Sequence, residues 1–133
     1  MNKASEKRMV LDAGKFTLQA DYPYVIVRTY SAGVFAGELV RREGKEVEMR
    51  NARRLWRWSG AASLSQLAME GVTRPRECLF PVPVLRVILT EAVEILDVTP
   101  EARNSIEGVP VWRAHGQKPY KDQRGGPDDD YVS

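Results

Sequence analysis

Residues 24–50 read YVIVRTYSAGVFAGELVRREGKEVEMR, and this stretch sets the class of fold. Tyr24 to Tyr30 is rich in β-branched and aromatic side chains, the composition of a buried strand. Ser31-Ala32-Gly33 follows as a tight turn, and Val34 to Arg42 resumes an extended pattern. Arg42-Glu43-Gly44-Lys45 is polar and carries a glycine, the chemistry of a hairpin turn. Glu46 to Arg50 then alternates with period two, and Asn51 to Trp58 continues it after a break. These pieces predict an antiparallel meander.

Outward from the meander, helical signals are fewer. Leu64, Leu67 and Ala68 fall on one face of a short helix within Ala61–Glu70, and Gly71 stops it. A breaker-rich connector over Thr73–Glu77 leads to Phe80-Pro-Val-Pro-Val84. Leu85–Thr90 and Ala92–Val98 read as two more strands, or as one strand bent near Thr90. Thr99-Pro100-Glu101 opens a second helix: Thr caps, Pro occupies the first turn and Glu faces the positive end of the dipole. That helix ends at Gly108. The expected class is α+β, a curled antiparallel β-sheet with one or two short helices and a flexible C-terminal tail.

A chain of 133 residues with 43% hydrophobic and 29% charged residues fits one globular domain. The reading places a polar segment over 1–14, with a short helix through Ala4 to Leu11, and the single α+β domain over 15–114. The tail over 115–133 has almost no aliphatic residues to offset its ordering entropy, so it is expected to be flexible. The start lacks the apolar core of a signal peptide, and no apolar run approaches the ~20 residues of a membrane helix. A formal net charge of +2 is too even to indicate nucleic acid by itself.

Catalysis has little to work with. The one histidine, His115, lies at the edge of the tail, and the one cysteine, Cys78, beside Leu79 and Phe80, reads as a small buried hydrophobe. A single Cys leaves no disulfide framework and suits a reducing compartment. One His and one Cys make no common transition-metal site within one chain. The acidic run Asp128–Asp130 reads as solvated charge. No Walker, GxSxG or HExxH pattern occurs. Neither a cofactor nor enzymatic activity is expected.

Binding is better served. Arg50 to Gly60 (RNARRLWRWSG) packs four arginines and two tryptophans into eleven residues. Arginine forks match phosphate oxygens and stack on flat rings, and tryptophan offers a stacking face for a base. In an extended chain Trp56 and Trp58 share one face with Arg54, and Arg57 takes the other. Ser59-Gly60 is expected to open a helix whose free N–H groups favour a phosphate. The alternative, which spacing alone favours, is that both tryptophans fill the sheet core and the arginines form a solvated face. A second candidate is Arg28 to Gly37, where Arg28 holds an anion and Gly33 and Gly37 admit a close backbone approach. Its alternative is a plain hairpin.

The string YVIVRTYSAGVFAGELV, then NARRLWRWSGAASLSQLAMEGV ten residues later, then VPVLRVILTEAVEIL, resembles a family of small bacteriophage proteins. Its members share an R-x-x-x-A-G-V-x-A-G turn, an R-R-L-W-x-W-S-G-A-x-S-L motif and an I-L-T-E-A-x-E-I strand. The likeness covers residues 22–113, in a family described largely as a domain of unknown function. The pattern is also similar to the Thoeris anti-defence proteins of the first type. Those are phage sponges for the cyclic ADP-ribose isomer made by the host's TIR-domain immune enzyme, and they do not degrade it. The resemblance implies a homo-oligomer, dimer or higher, with ligand sites at subunit boundaries. It also implies further sites for cyclic oligonucleotides and action in the host cytoplasm.

The resemblance transfers no ligand-contacting residue, so the candidate site rests on chemical suitability. Trp56, Trp58 and Phe80 suit stacking; Arg28, Arg54, Arg57 and Arg103 suit a pyrophosphate; Ser31, Ser59 and Asn104 suit ribose; Gly33 and Phe35 complete the set. Two other readings compete. One is a nucleic-acid-binding accessory protein using residues 41–57, with seven basic residues against three acidic. The other is a protein that inhibits a host factor through an exposed patch. An oligomer is also expected from the strand at 24–30, read as an open sheet edge. No membrane partner is expected.

Overall fold

The computed structural model describes residues 7–12, 15–116 and 118. A hairpin comes first, with strands β1 (Lys7–Asp12) and β2 (Lys15–Ala20) paired antiparallel. The helix expected through Ala4–Leu11 is therefore a strand from Lys7 onward; pairing with Lys15–Ala20 overrides its weak local helix signal. The boundary drawn between residues 14 and 15 separates these two paired strands.

A five-stranded sheet follows, built from β3 (Tyr24–Thr29), β4 (Val34–Glu43), β5 (Glu46–Arg54), β6 (Val84–Leu89) and β7 (Ala92–Asp97). All neighbours are antiparallel, in the order β6-β5-β4-β3-β7. Helices α1 (Leu64–Glu70) and α2 (Pro100–Glu107) pack on it. The class is α+β. The 85–98 stretch is two strands at opposite edges, not one bent strand. The strand at 24–30 is not an edge: β3 has β4 on one side and β7 on the other, and the edges are β6 and β7.

That order forces the sheet to curl. In a flat sheet the two edge strands would lie four spacings apart, about 19 Å. Only Thr90 and Glu91 join β6 to β7, and from Leu89 to Ala92 the chain reaches at most about 11 Å. The bend comes from irregular pairing in the long β4–β5 hairpin. Ala36 faces Arg53 and Glu38 faces Arg50, so Gly37 stands opposite both Asn51 and Ala52. A Cβ on Gly37 would lie 2.7 Å from the Ala52 Cα, so only glycine permits this approach. A second shift lies between Leu39 and Arg41. The hairpin thereby brings its tip to β7, where the Ala92 N–H donates to the Lys45 carbonyl at 3.0 Å. β6 and β7 do not pair with each other, so the sheet stays open.

The curl divides the core. Val25, Val27, Phe35, Val47, Met49, Ala52 and Leu89 come from strands alone and fill the concave side. Tyr24, Ile26 and Ala36 alternate with them and meet Leu67, Phe80, Ile106 and Val109 beneath the helices. β3 is thus apolar on both faces because both faces are covered. Helix α1 starts three residues later than the earliest expected position, where Ser63 Oγ accepts the Gln66 N–H at 3.1 Å. At α2 the cap is the one expected: Thr99 Oγ1 accepts the Ala102 N–H at 3.0 Å and donates to the Met69 carbonyl at 2.7 Å, tying the helices together. No helix among the described residues is long and apolar enough to cross a membrane. The expected flexible tail lies outside the described residues, apart from 115, 116 and 118.

Candidate ligand-binding site

Both segments singled out in the sequence meet at one end of the sheet. The turn between β3 and β4 is held by Thr29, whose hydroxyl donates to the Gly33 carbonyl at 2.7 Å and accepts the Ala32 N–H at 2.9 Å. Gly33 has φ +96 with open space around it, so it serves the turn. On one side of this turn the Leu55 N–H donates to the Val34 carbonyl at 2.8 Å, which lays the Arg54–Arg57 segment alongside. On the other side the Tyr30 N–H donates to the Glu91 carbonyl at 2.9 Å, at the entry to β7.

Several arginines are engaged within the fold, whereas others are exposed with no ion pair among the described residues, Arg42 and Arg50 included. Arg28 pairs with Glu94 at 3.0 Å, Arg41 with Glu46 at 2.8 Å and Glu48 at 3.4 Å, and Arg86 with Glu48 at 2.9 Å. These bonds hold Arg41 above its ordinary pKa, chiefly through Glu46. They hold Glu48 below its ordinary pKa, chiefly through Arg86. Arg103 lies 4.6 Å over the Tyr24 ring, between Glu38 at 3.4 Å and Glu107 at 3.3 Å. Arg53 is 5% exposed and donates to the carbonyls of Phe80, Pro81 and Ile106. Arg54 and Arg57, by contrast, are exposed and have no ion pair among the described residues. Arg54 rests 4.5 Å over the ring of Phe35, a contact that leaves its N–H groups available.

The tryptophans divide too. Trp56 is 65% exposed, while Trp58 is half-buried and packs on the helix-side core. They do not act as one stacking pair, because β5 ends at Arg54 and the next segment leaves the sheet. That segment keeps one isolated bridge, Arg57 to Leu79. So the surface reading holds for Trp56 and the core reading for Trp58.

Other candidates are placed elsewhere or occupied. Phe80 is fully buried and Phe35 is 3% exposed, so neither stacks on a ligand. The Ser59 hydroxyl donates to Glu77 at 3.4 Å and its N–H to Cys78 Sγ at 3.3 Å. Ser59-Gly60 does not open the helix. Ser63 caps α1, a helix of seven residues, and the expected phosphate site there is not formed. Arg103 and Asn104 sit on α2 near Tyr24, the far end of β3 and about 16 Å from the β3–β4 turn at the usual strand rise. Within one chain they do not join Arg54 and Trp56. Arg28 is ion-paired, and the Ser31 hydroxyl donates to Glu91 at 2.9 Å. Gly37 serves strand packing. Cys78 is buried as expected, and burial pushes its thiol pKa up, so it is a poor nucleophile. His115 is exposed. The described residues hold no cluster of three or more His, Cys, Asp or Glu placed for a metal.

Sequence reasoning passed over Tyr30, Arg42 and Lys45. Tyr30 was counted as the end of a buried strand but is 80% exposed at the turn. Arg42 and Lys45 read as ordinary hairpin polarity. The only available signal was two cations in one turn.

The curled sheet and its helix layer describe a small domain of the α+β class, with exposed arginines and Trp56 at one end. The profile of a family described as a domain of unknown function, DUF6948, matches residues 22–106, well over half of the chain. The protein belongs to the DUF6948 family. No curated protein and no solved structure matches it.

Proposed function

We propose that this protein is a phage counter-defence sponge acting in the host cytoplasm. In this reading it binds a nucleotide immune second messenger, a cyclic ADP-ribose isomer, and holds it without chemistry. One observation carries the reading: Arg54 and Arg57 flank an exposed Trp56 with no carboxylate partner among the described residues. Arg28, Arg41, Arg74, Arg86 and Arg103 are ion-paired; Arg42, Arg50 and Arg76 are exposed without an ion pair among the described residues, and what sets Arg54 and Arg57 apart from them is the exposed Trp56 between them in sequence. Two unpaired guanidinium forks and an exposed flat ring within four residues of sequence are the groups a pyrophosphate attached to adenine calls for. A small patch on one chain fits a ligand held jointly with a second copy, so the proposal includes a homo-oligomer.

Calorimetric titration with the TIR-derived cyclic ADP-ribose isomer, against ordinary cyclic ADP-ribose and ADP-ribose, tests it. Tight binding of the isomer, its release intact on heating, and loss of both in Arg57→Ala are the expected results. No heat with the isomer would sink the reading. The competing nucleic-acid reading draws on residues 41–57, where Arg41 is ion-paired and Arg53 is buried. Binding of single-stranded DNA that collapses steeply with salt would favour it instead.

A further inference from the structure

Two adjoining depressions of about 280 Å³ and 270 Å³ share Lys45 and Val93 and open to solvent beside the start of β7. The β4–β5 turn supplies Arg42 and Lys45, β7 supplies Val93 and Glu94, and Tyr30 and Glu91 close the other side. Two backbone bonds hold this arrangement. Glu91 takes the Tyr30 N–H at 2.9 Å, and its neighbour Ala92 gives its own N–H to Lys45 at 3.0 Å. The backbones that carry Tyr30 and Lys45 are thus pinned within one dipeptide.

The side chains around the groove are unevenly engaged. Glu94 is paired with Arg28 at 3.0 Å, and one Glu91 carboxylate oxygen accepts the Ser31 hydroxyl at 2.9 Å. Lys45 has no ion pair among the described residues, and Arg42 donates its Nε only to the Gly44 carbonyl at 2.9 Å. The lining cations, Arg42 and Lys45, both stand on the wall formed by the β4–β5 turn, while of the two lining carboxylates Glu94 is already paired with Arg28. At the opposite side stand an exposed phenol ring and a carboxylate oxygen with free lone pairs.

We infer that this groove binds a nucleoside 5′-phosphate group, at a site separate from the Arg54–Arg57 patch. The phosphate sits between Lys45 and the Arg42 fork. The base stacks on Tyr30 above the apolar floor of Val93. The ribose hydroxyls donate to Glu91, as a carboxylate commonly accepts a ribose diol. Pairing with Arg28 keeps the charge of Glu94 from opposing the phosphate. Each depression is near the lower limit of ~300 Å³ for ligand pockets, a scale that suits one nucleotide unit. This inference rests on the nucleotide reading above only for the class of ligand.

Calorimetry on the full chain with AMP, adenosine and inorganic phosphate tests it. AMP is expected to bind at least ~10-fold more tightly than either fragment. Lys45→Met should weaken AMP ~10-fold, the loss of one charge-assisted contact. Tyr30→Ala should erase the advantage of AMP over phosphate. Glu91→Gln should weaken AMP and leave 2′,3′-dideoxy-AMP unchanged. Melting curves confirm folding, since all three side chains are exposed. Absence of AMP binding, or AMP binding indifferent to Lys45→Met and Tyr30→Ala, overturns the inference. Loss of isomer binding in Arg57→Ala with AMP unaffected separates the two sites. AMP binding lost in Arg57→Ala but kept in Lys45→Met defeats the groove and leaves the sponge reading standing. AMP bound with no heat from the isomer does the reverse.

Discussion

Arg53 and Arg54 are neighbours in one strand, and the fold uses them in opposite ways. Arg53 points to the helix-covered side, 5.4 Å from the centroid of the Phe80 ring, with its guanidinium on the carbonyls of Phe80, Pro81 and Ile106. Arg54 points to the concave side at the strand's end, where the sheet is open, and rests on Phe35 with free donors. The same division separates Trp58 from Trp56. The covered region has turned arginine and tryptophan into scaffold, and the open end has left the same residue types accessible. Residue type alone therefore says little about a site here; what lies above the side chain decides.

The comparison breaks most sharply at Arg53. Arg53→Met strips three carbonyls of their donor, and is expected to cost about 3–5 kcal/mol. A fall in Tm of the order of 10 °C, read by differential scanning calorimetry, is the check. The tryptophans sharpen it further. Trp58→Ala should cost about 2–3 kcal/mol for its half-buried ring, whereas Trp56→Ala should stay within ~0.5 kcal/mol in urea unfolding. Equal losses for the two would erase the distinction between covered and open regions. Gly37→Ala tests the bend that creates the open end. Its methyl meets Ala52, and a loss of about 1–3 kcal/mol is expected by thermal melting.

The smallest effect is electrostatic. The Arg86 guanidinium holds the Glu48 carboxyl below its ordinary value of 4.5, so its contribution is present above that value and lost as pH falls through the depressed one. Wild type should melt above Glu48→Gln near neutral pH, and the gap should close in acid. A gap that persists at low pH would show that the Arg41–Glu48–Arg86 cluster acts by packing instead of charge.

Much of the fold was legible along the chain. The apolar run at Tyr24–Tyr30, the polar turn at Arg42–Lys45 and the Thr99-Pro100 cap each carry local chemistry that has one common structural solution. The N-terminal strand was not legible, because Lys7–Asp12 is defined by its pairing partner and not by its own propensity. The site was legible only in part. Its residue types stood out in Arg50–Gly60, yet Phe35 and Phe80 went to the core, and Arg103 and Asn104 to the far end of β3.

The sequence by itself determined the α+β class, most strand positions and the helix stops, since each follows from period, capping and turn chemistry within a few residues. Tertiary structure alone decided that β3 is interior, that Trp58 is covered and Trp56 open, and that Lys45 comes to lie beside Tyr30. Those outcomes depend on how a sheet bent at Gly37 brings distant segments together. Burial and charge pairing are properties of that assembled surface, and no local pattern encodes them.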